Sequence, residues 1–287
     1  MASFGSQSER DFRFFASVPA LLWQLLFLLV PLGVTFYLGF ISEATDTFGF
    51  ENYRAVFDLA HARIIARSVI SSIFTALISL LVAYPVAYFL ALRAGRWKAP
   101  LLFLAMVPFW TNFLVQIYAW FFMLERNGVI NTLLSWIGLP ELVTTNSVMA
   151  IFIVMIYCYL PFMLMPLYVA LERFDERLLE ASSDLGATPW QTFVRVTLPL
   201  SLPGIRTGFF LVLIPAFGEY AIPALLGGSK YMFVGSLISY YALVERDSGM
   251  GSAFTGVSGL TLLAVVGATF LLLRFFFGSM ARMEDRL

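Results

Sequence analysis

The amino-acid sequence predicts an all-α integral membrane protein with six transmembrane helices. Of its 287 residues, 60% are hydrophobic and 13% are charged, and the mean hydropathy is +0.84. A water-soluble domain of this length needs far more polar surface. Six apolar stretches reach the ~20 residues that a helix needs to cross the hydrocarbon core. Numbered one to six in chain order, these spans cover roughly 16–41, 68–92, 99–124, 147–171, 203–226 and 256–278.

Span one is too long for the apolar core of a signal peptide, and no clear cleavage site follows it, so we retain it as a span. Six spans place both termini on one side of the membrane. With the termini inside, twelve of the 18 Lys and Arg residues lie on the inner side, which the positive-inside rule favours. The predicted organisation is a cytoplasmic tail 1–15, a membrane domain 16–279 and a cytoplasmic tail 280–287.

The composition argues against several other functions. A formal net charge of zero suggests no nucleic-acid partner. Cys158 and His61 are each the sole residue of their type, so neither an intrachain disulfide nor a thiolate or multi-histidine metal site can form. Residues 227–230, Gly-Gly-Ser-Lys, lack the spacing of a phosphate-binding loop. If ATP drives this protein, another chain must bind it.

Span two carries a small residue at every fourth position. Such a stripe lets two helix backbones approach closely in lipid. It indicates either a tight contact with another subunit or packing within this chain. The stripe consists of Ser71, Thr75, Ser79, Ala83, Ala87 and Ala91.

Prolines within the spans predict interrupted helices, because each leaves the carbonyl four residues earlier without its donor. Broken helices near the midplane are typical of transporters, although proline is also common in ordinary membrane helices. The segment Met232–Leu243 is apolar but too short to span, and is predicted to be re-entrant or superficial. The prolines concerned are Pro31, Pro85, Pro108, Pro161, Pro166, Pro215 and Pro223.

Glu219 in span five is the only carboxylate well inside an apolar stretch. An acid at the centre of a membrane helix is costly, so it indicates a partner or a water-filled path. In a continuous helix, Pro215, Glu219 and Pro223 would share one face, which could offer a cation both a carboxylate and a free carbonyl. We predict that Glu219 and the adjacent Tyr220 line a substrate pathway. The alternatives are a protonated acid, an Arg partner, or a shallower position.

Span three adds a polar and aromatic stripe just after Pro108. Aromatic faces attract ammonium groups and amides supply uncharged acceptors, so these residues are further candidates for the pathway. Interfacial aromatic belts and amide contacts between helices are the alternative explanations. The candidates in spans three and four are Trp110, Asn112, Gln116, Tyr118, Trp120, Tyr157 and Tyr159.

Residues 174–199 form a polar, charged segment between long apolar ones, and their pattern predicts two short helices joined by a turn. Gly186 stands where a helix end favours positive φ. Thr188, Pro189 and Gln191 then form a capping-box pattern that begins the second helix, and Pro199 should end it. The positive-inside count places this hairpin in the cytoplasm.

The hairpin resembles the cytoplasmic signature of permease subunits of bacterial ABC importers. That signature reads Glu-Ala-Ala, three residues, Gly, nine residues, Ile-x-Leu-Pro. Here Glu180-Ala181-Ser182, Gly186 and Val196-Thr197-Leu198-Pro199 keep its spacing, with Ser for the second Ala and Val for Ile. Further segments are similar to spermidine/putrescine permeases, in particular the first of their two permease subunits. These segments are 107–120, 127–139, 159–168 and 214–228.

The resemblance implies a type I ABC importer permease fold in the bacterial inner membrane. It also implies a second permease subunit, two copies of a cytoplasmic ATPase that bind ATP and Mg, and an extracytoplasmic substrate-binding protein. This chain itself would hold no cofactor. Its hairpin would dock on the ATPase and convert ATP-driven closure into alternating access. The implied coupling residues are Glu180, Ala181, Asp184, Gly186, Ala187 and Thr188.

The sequence leaves three alternatives to a polyamine importer. Relatives of this group carry ferric iron, phosphonates or opines, so the same machinery could serve another small solute. An ion-coupled secondary transporter would use intramembrane acids but has no need of the 174–199 hairpin. A membrane enzyme lacks support, because the sequence shows no metal cluster, nucleophile–base pair or cofactor motif.

Overall fold

The structure is a computed structural model that describes residues 4–43, 47–140, 146–175, 177–228 and 231–281. The chain forms two compact units. Unit one comprises Met1–Asp58 and Tyr240–Gly259, and unit two comprises Leu59–Ser239 and Leu260–Leu287. Within the predicted tails, residues 1–3 and 282–287 lie outside the described residues.

Secondary structure in the described residues is almost entirely helical. Two short strands, β1 (Ile41–Ser42) and β2 (Thr47–Phe48), form an antiparallel pair. The helices are α1 (Phe4–Leu38), α2 (Glu51–Val56), α3 (Leu59–Leu92), α4 (Lys98–Met106), α5 (Phe113–Leu124), α6 (Val129–Trp136), α7 (Val148–Glu172), α8 (Arg177–Asp184), α9 (Pro189–Thr192), α10 (Leu198–Phe217), α11 (Ala221–Leu226), α12 (Val234–Tyr240) and α13 (Ser248–Ala281).

The predicted all-α membrane fold is confirmed. Five described helical stretches are long and apolar enough to cross a membrane. Span three is a pair of helices, Gly95–Trp110 and Phe113–Trp136, bent by 92°, which makes six spans if the pair is counted as one crossing. Span one begins as a helix at Phe4, within the predicted tail. The other four long stretches are Leu59–Leu92, Val148–Glu172, Pro189–Phe217 and Ser248–Phe275.

Most of the prolines do not interrupt their helices, contrary to the prediction. The helix continues through Pro31, Pro85, Pro161, Pro166 and Pro215. Two breaks are present instead. One follows Pro108, and the other lies between α10 and α11.

The centre of unit two is a three-helix packing of α3, α7 and α10. All six small residues of the span-two stripe are buried there, which supports packing within the chain over a contact with another subunit. Two glycines of α10 permit the close approach to α7. A Cβ on Gly204 would lie 2.6 Å from the Pro166 carbonyl oxygen, and one on Gly208 would lie 2.8 Å from the Met163 sulfur.

Span five begins earlier than predicted, because Pro199 does not end the second hairpin helix. Helix α9 continues through a π turn, Phe193–Thr197, into α10. A π turn accommodates one extra residue, so the Pro199 ring avoids the clash that an α-helical register would impose. The hairpin and span five therefore form one continuous helix.

In unit one, the segment that follows α1 is held by hydrogen bonds between side chains and backbone groups. The Asn52 amide donates to the carbonyl oxygens of Gly39 (3.2 Å) and Ile41 (2.8 Å). The Glu43 carboxylate accepts from the Ser248 N–H (2.8 Å) and hydroxyl (2.6 Å) at the start of α13. These two hydrogen bonds, the hydroxyl one foremost, hold the pKa of Glu43 below its ordinary value.

The predicted re-entrant or superficial segment contains α12. In unit two, the Val234 N–H donates to the Ser68 hydroxyl (2.8 Å), and Arg67 donates to the Met232 carbonyl (3.3 Å). Gly235 lies against the break in span five, since a Cβ there would be 2.3 Å from the Gly218 carbonyl oxygen. The segment is therefore packed on unit two through its backbone as well as its side chains.

Candidate functional site

The break in span five is built around Glu219. Helix α10 ends at Phe217 and α11 begins at Ala221, so Glu219 lies between two helices. Its side chain is 7% exposed. One carboxylate oxygen accepts a short hydrogen bond from the Tyr159 hydroxyl of α7. The other accepts from the Ile222 N–H (3.2 Å) in the first turn of α11.

These contacts explain how an acid can occupy this position. Insertion scales assign roughly 2.5–3.5 kcal/mol to a charged Asp at a helix centre. Hydrogen bonds to charged groups contribute about 1.5–3 kcal/mol each. Two such bonds can therefore offset the cost of burying Glu219. Among the described residues its partners are a tyrosine hydroxyl and a backbone amide, not an Arg.

The predicted face of Pro215, Glu219 and Pro223 is wrong, because the helix is interrupted between these residues. A shared face requires continuous helical geometry.

The break in span three is satisfied by two amides. Asn112 caps α5 by accepting from the Leu114 N–H (2.9 Å). The Gln116 side chain donates to the Thr111 hydroxyl (2.8 Å) and, by a short bond, to the Pro108 carbonyl. Side chains thus bond backbone groups that would otherwise lose their helical partners at this break.

Three consecutive residues of α7 contact both breaks. The Cys158 thiol lies 3.8 Å from the Gln116 amide oxygen, and the Tyr157 ring meets Trp120 edge-on with centroids 5.1 Å apart. Tyr159, next along the helix, bonds Glu219. Much of the predicted span-three stripe therefore packs against α7.

The remaining pathway candidates are solvent-accessible in the isolated chain. Trp110 is 73% exposed, Tyr118 48% and Tyr220 45%, and Asn112 is also exposed. Of the nine candidates, Trp110 alone lines the large groove of unit two. The structure thus separates the set into exposed residues and residues held in helix packing.

That groove has a volume of about 1150 Å³ and lies between α4, α7 and α10. It extends from Trp110 at the span-three break to Asp175 and Leu178 at the base of the 174–199 hairpin. Its walls are mainly apolar. Besides aliphatic and proline side chains, they include Met106, Phe109, Phe162 and Met165, which the sequence analysis did not identify. Nothing in the sequence distinguishes these four residues from the other apolar residues of the same helices.

The 174–199 hairpin has the predicted caps. Gly186 adopts φ +78°, and the N–H groups of Gly186 and Ala187 donate to the carbonyls of Ser183 (2.9 Å) and Ser182 (3.1 Å). This is the Schellman arrangement. The capping box of Thr188 and Gln191 is also present. A hydrogen bond between the Ser182 and Thr192 hydroxyls (2.8 Å), not foreseen from sequence, joins the two helices.

The hairpin surface combines polar and apolar groups. Most of the implied coupling residues are exposed, and Ala187 is half-buried. Leu185 is 88% exposed and Trp190 70%, although the surrounding sequence is polar. These two residues were not among the predicted coupling residues. The sequence feature that could have identified them is a large apolar residue on each side of Gly186 in an otherwise polar segment. The exposed coupling residues are Glu180, Ala181, Asp184, Gly186 and Thr188.

The base of the hairpin is fastened to span three. Lys98 at the start of α4 pairs with Glu172 at the end of α7 (2.8 Å). Glu172 also accepts from the Tyr168 hydroxyl (2.9 Å), and the Lys98 ammonium lies 5.5 Å from the Tyr168 ring centroid. The residue after Glu172 begins the turn into the hairpin, so this contact fixes where the hairpin leaves the helix bundle.

Broken spans, a groove that reaches a capped polar hairpin, and a largely apolar helical chain define a solute-transport membrane subunit. The family model described as "Binding-protein-dependent transport system inner membrane component" matches residues 83–287. The chain belongs to this family of inner-membrane permease components. It is a transport subunit rather than an enzyme, and it is a multi-pass inner-membrane protein.

Sequence relatives cover most of the chain. The spermidine/putrescine transport system permease protein PotB of Haemophilus influenzae is 38% identical over 248 residues, 84% of this chain and 86% of the relative. PotB of Escherichia coli is 36% identical over 263 residues, 87% and 95% of the two chains. The E. coli inner membrane ABC transporter permease protein YdcU is 33% identical over 84% of this chain and 79% of its own length.

Two crystal structures share the fold. One is a bacterial ABC transporter involved in import of the acidic polysaccharide alginate, with a TM-score of 0.70 and 20% identity over 94% of this chain and 97% of that one. The other is an alginate transporter in complex with an alginate pentasaccharide-bound periplasmic protein, with a TM-score of 0.72 and 19% identity over 98% and 97%. The predicted ABC importer permease fold is thereby confirmed.

Proposed function

We propose that this chain is a permease subunit of an ATP-driven importer of polyamines such as spermidine and putrescine. The observation that carries the proposal is the 38% and 36% identity to spermidine/putrescine permeases over 84% and 87% of the chain. The subunit works by alternating access, beside a second, different permease subunit.

The groove between α4, α7 and α10 is the inner half of the substrate path. A polyamine is a flexible alkyl chain bearing ammonium groups. Its methylene segments suit the apolar walls, and its charges suit the faces of Trp110, Phe109 and Phe162, since cation–π contacts contribute about 0.5–2 kcal/mol each. Asp175 supplies a carboxylate where the groove meets the hairpin.

Glu219 is the cation site beyond this groove. In the present conformation Tyr159 holds its carboxylate, and the Tyr159 ring contacts Phe162 of the groove wall with centroids 6.3 Å apart. A substrate ammonium must therefore replace the Tyr159 hydroxyl. Exposed Asn112, Tyr118 and Tyr220 extend the path toward the second permease subunit, while Gln116, Trp120 and Tyr157 position α5 against α7.

The 174–199 hairpin docks on one of two cytoplasmic ATPase subunits, which bind ATP and Mg. An amphipathic helix seated in a groove is a common recognition mode. Leu185 supplies an apolar anchor, and Glu180, Ala181, Asp184, Gly186, Ala187 and Thr188 surround it. Because α9 continues into α10, ATPase closure moves span five directly.

Both termini lie in the cytoplasm, on the same side as the hairpin. An extracytoplasmic binding protein delivers substrate to the opposite side of the membrane.

Uptake by the complete transporter tests the proposed substrate. Proteoliposomes containing both permeases and the ATPase, supplied with the binding protein, should accumulate labelled spermidine only with internal ATP. Excess putrescine should compete, whereas a disaccharide, a phosphonate and a ferric chelate should not. Preferred uptake of any of those three solutes would overturn the polyamine assignment.

A further inference from the structure

Helix α6 lies in the connection between α5 and α7, at the end of α7 opposite the 174–199 hairpin. We propose that this helix lies in the lipid–water interface there, with one apolar face inserted among lipid headgroups. It would anchor the end of α5 to the membrane surface. The proposal does not depend on which solute is transported.

The polar side of α6 fastens it to the end of α5. Asn131 is 4% exposed, and its amide donates to the carbonyls of Glu125 (3.2 Å) and Arg126 (3.1 Å). Gly128, the residue before α6, is pressed against the last turn of α5, because a Cβ there would lie 2.5 Å from the Phe122 carbonyl oxygen. The helix is thus held at the depth where the membrane-crossing segment ends.

A second side of α6 is apolar and exposed. Val129 is 59% exposed, Leu133 52%, Trp136 79% and Ile137 70%. The spacing i, i+4 and i+7 places Val129, Leu133 and Trp136 on one face of α6, and Ile137 is the residue that caps its end. Ser135 and Thr132, also exposed, occupy the neighbouring polar arc. The helix therefore has one side for protein, one for an apolar phase and one for water.

A lipid surface fits this division better than a soluble partner does. Helix α6 follows the end of α5 after only four residues, and tryptophan is enriched where chains leave the hydrocarbon. Short amphipathic helices with Trp and Leu on one face lie in the interface plane. A water-soluble binding protein would shield these apolar side chains from water only while it is bound, whereas lipid is always present.

Site-specific fluorescent labelling tests the placement. The only cysteine, Cys158, is buried, so the variants Leu133→Cys and Ser135→Cys can each be labelled with a nitrobenzoxadiazole probe, with the unmodified chain as the background control. Both substituted positions are exposed, and both variants should fold. The labelled transporter is reconstituted in vesicles of phosphatidylethanolamine and phosphatidylglycerol, without binding protein.

The probe at position 133 should be quenched by lipids spin-labelled near the headgroup. Its quenching constant with aqueous iodide should be several-fold smaller than that of the probe at position 135. Equal iodide access at both positions, without lipid quenching, would overturn the proposal. Protection of position 133 that appears only after the binding protein is added would also overturn it, and would assign the face to protein docking.

Discussion

The hydroxyl of Tyr159 donates a hydrogen bond to the carboxylate of Glu219, joining an unbroken span to the break in span five. Both side chains are buried. The contact spans 60 positions in sequence and is made where α10 gives way to α11. Under the proposed function, a substrate ammonium would have to replace the Tyr159 hydroxyl at this carboxylate.

The charge of Glu219 should be required for cation uptake. Glu219→Gln keeps an oxygen that can accept from the Ile222 N–H while removing the charge. Since a hydrogen bond to a charged group is worth about 1.5–3 kcal/mol, the apparent affinity for spermidine should fall roughly 10- to 150-fold. Initial uptake rates across spermidine concentrations measure this. An unchanged concentration dependence would exclude the proposed role.

Tyr159→Phe should destabilise the fold through Glu219 specifically. Losing the hydroxyl leaves one buried carboxylate oxygen without its donor, which costs about 1–3 kcal/mol. The same change should cost less in the Glu219→Gln background. Thermal unfolding of the four proteins of this double-mutant cycle gives the coupling energy. Additive effects would show that the two side chains do not stabilise each other.

Packing of α10 on α7 should be sensitive to one methyl group. In Gly204→Ala, the new Cβ would lie 2.6 Å from the Pro166 carbonyl oxygen and from the Ala170 side chain. Such overpacking costs about 1–3 kcal/mol. Gly267→Ala in α13 is the matched control, because nothing lies within 4 Å of its Cβ position. Equal thermal stability of the two variants would argue against the close contact.

The exposed apolar residue of the hairpin should contribute to ATPase binding. Leu185→Ser removes a side chain that is 88% exposed in this chain, so the permease itself should keep its thermal stability. Burial of a leucine contributes about 1.5–3 kcal/mol, so ATPase affinity should fall roughly 10- to 150-fold. Titration of the purified ATPase onto the permease pair measures this. Ser183→Ala, also exposed on the hairpin, is the control; an equal loss in both variants would contradict a specific Leu185 contact.

The contact between Glu43 and Ser248 should make unit one sensitive to acid. Because the hydrogen bonds from Ser248 lower the pKa of Glu43 in the folded state, their stabilisation is complete above the carboxyl's ordinary pKa of about 4.3. It diminishes as the pH falls below that value and is lost below the lowered folded pKa. The difference in thermal stability between the wild type and Glu43→Gln should therefore shrink over that range. A constant difference would mean that Glu43 acts without its charge.

Several features of this protein could be predicted from short stretches of its chain. Apolar length gave the spans, and the spacing around Glu180 and Gly186 gave the family. The positive φ of Gly186 and the capping box of Thr188 followed from residues only a few positions apart. Such features are local because a helix cap or a helical stretch is stabilised mainly by groups within one or two turns.

The surroundings of Glu219 and the breaks in the spans could not be predicted in this way. Local rules predicted an interruption at each proline, yet most of these helices continue through theirs. The same rules predicted that the hairpin ends at Pro199, but a π turn makes it continuous with span five. The partner of a buried carboxylate is set by which distant helix lies against it. Tyr159 could not be chosen from sequence because its contact depends on how α7 and α10 pack together.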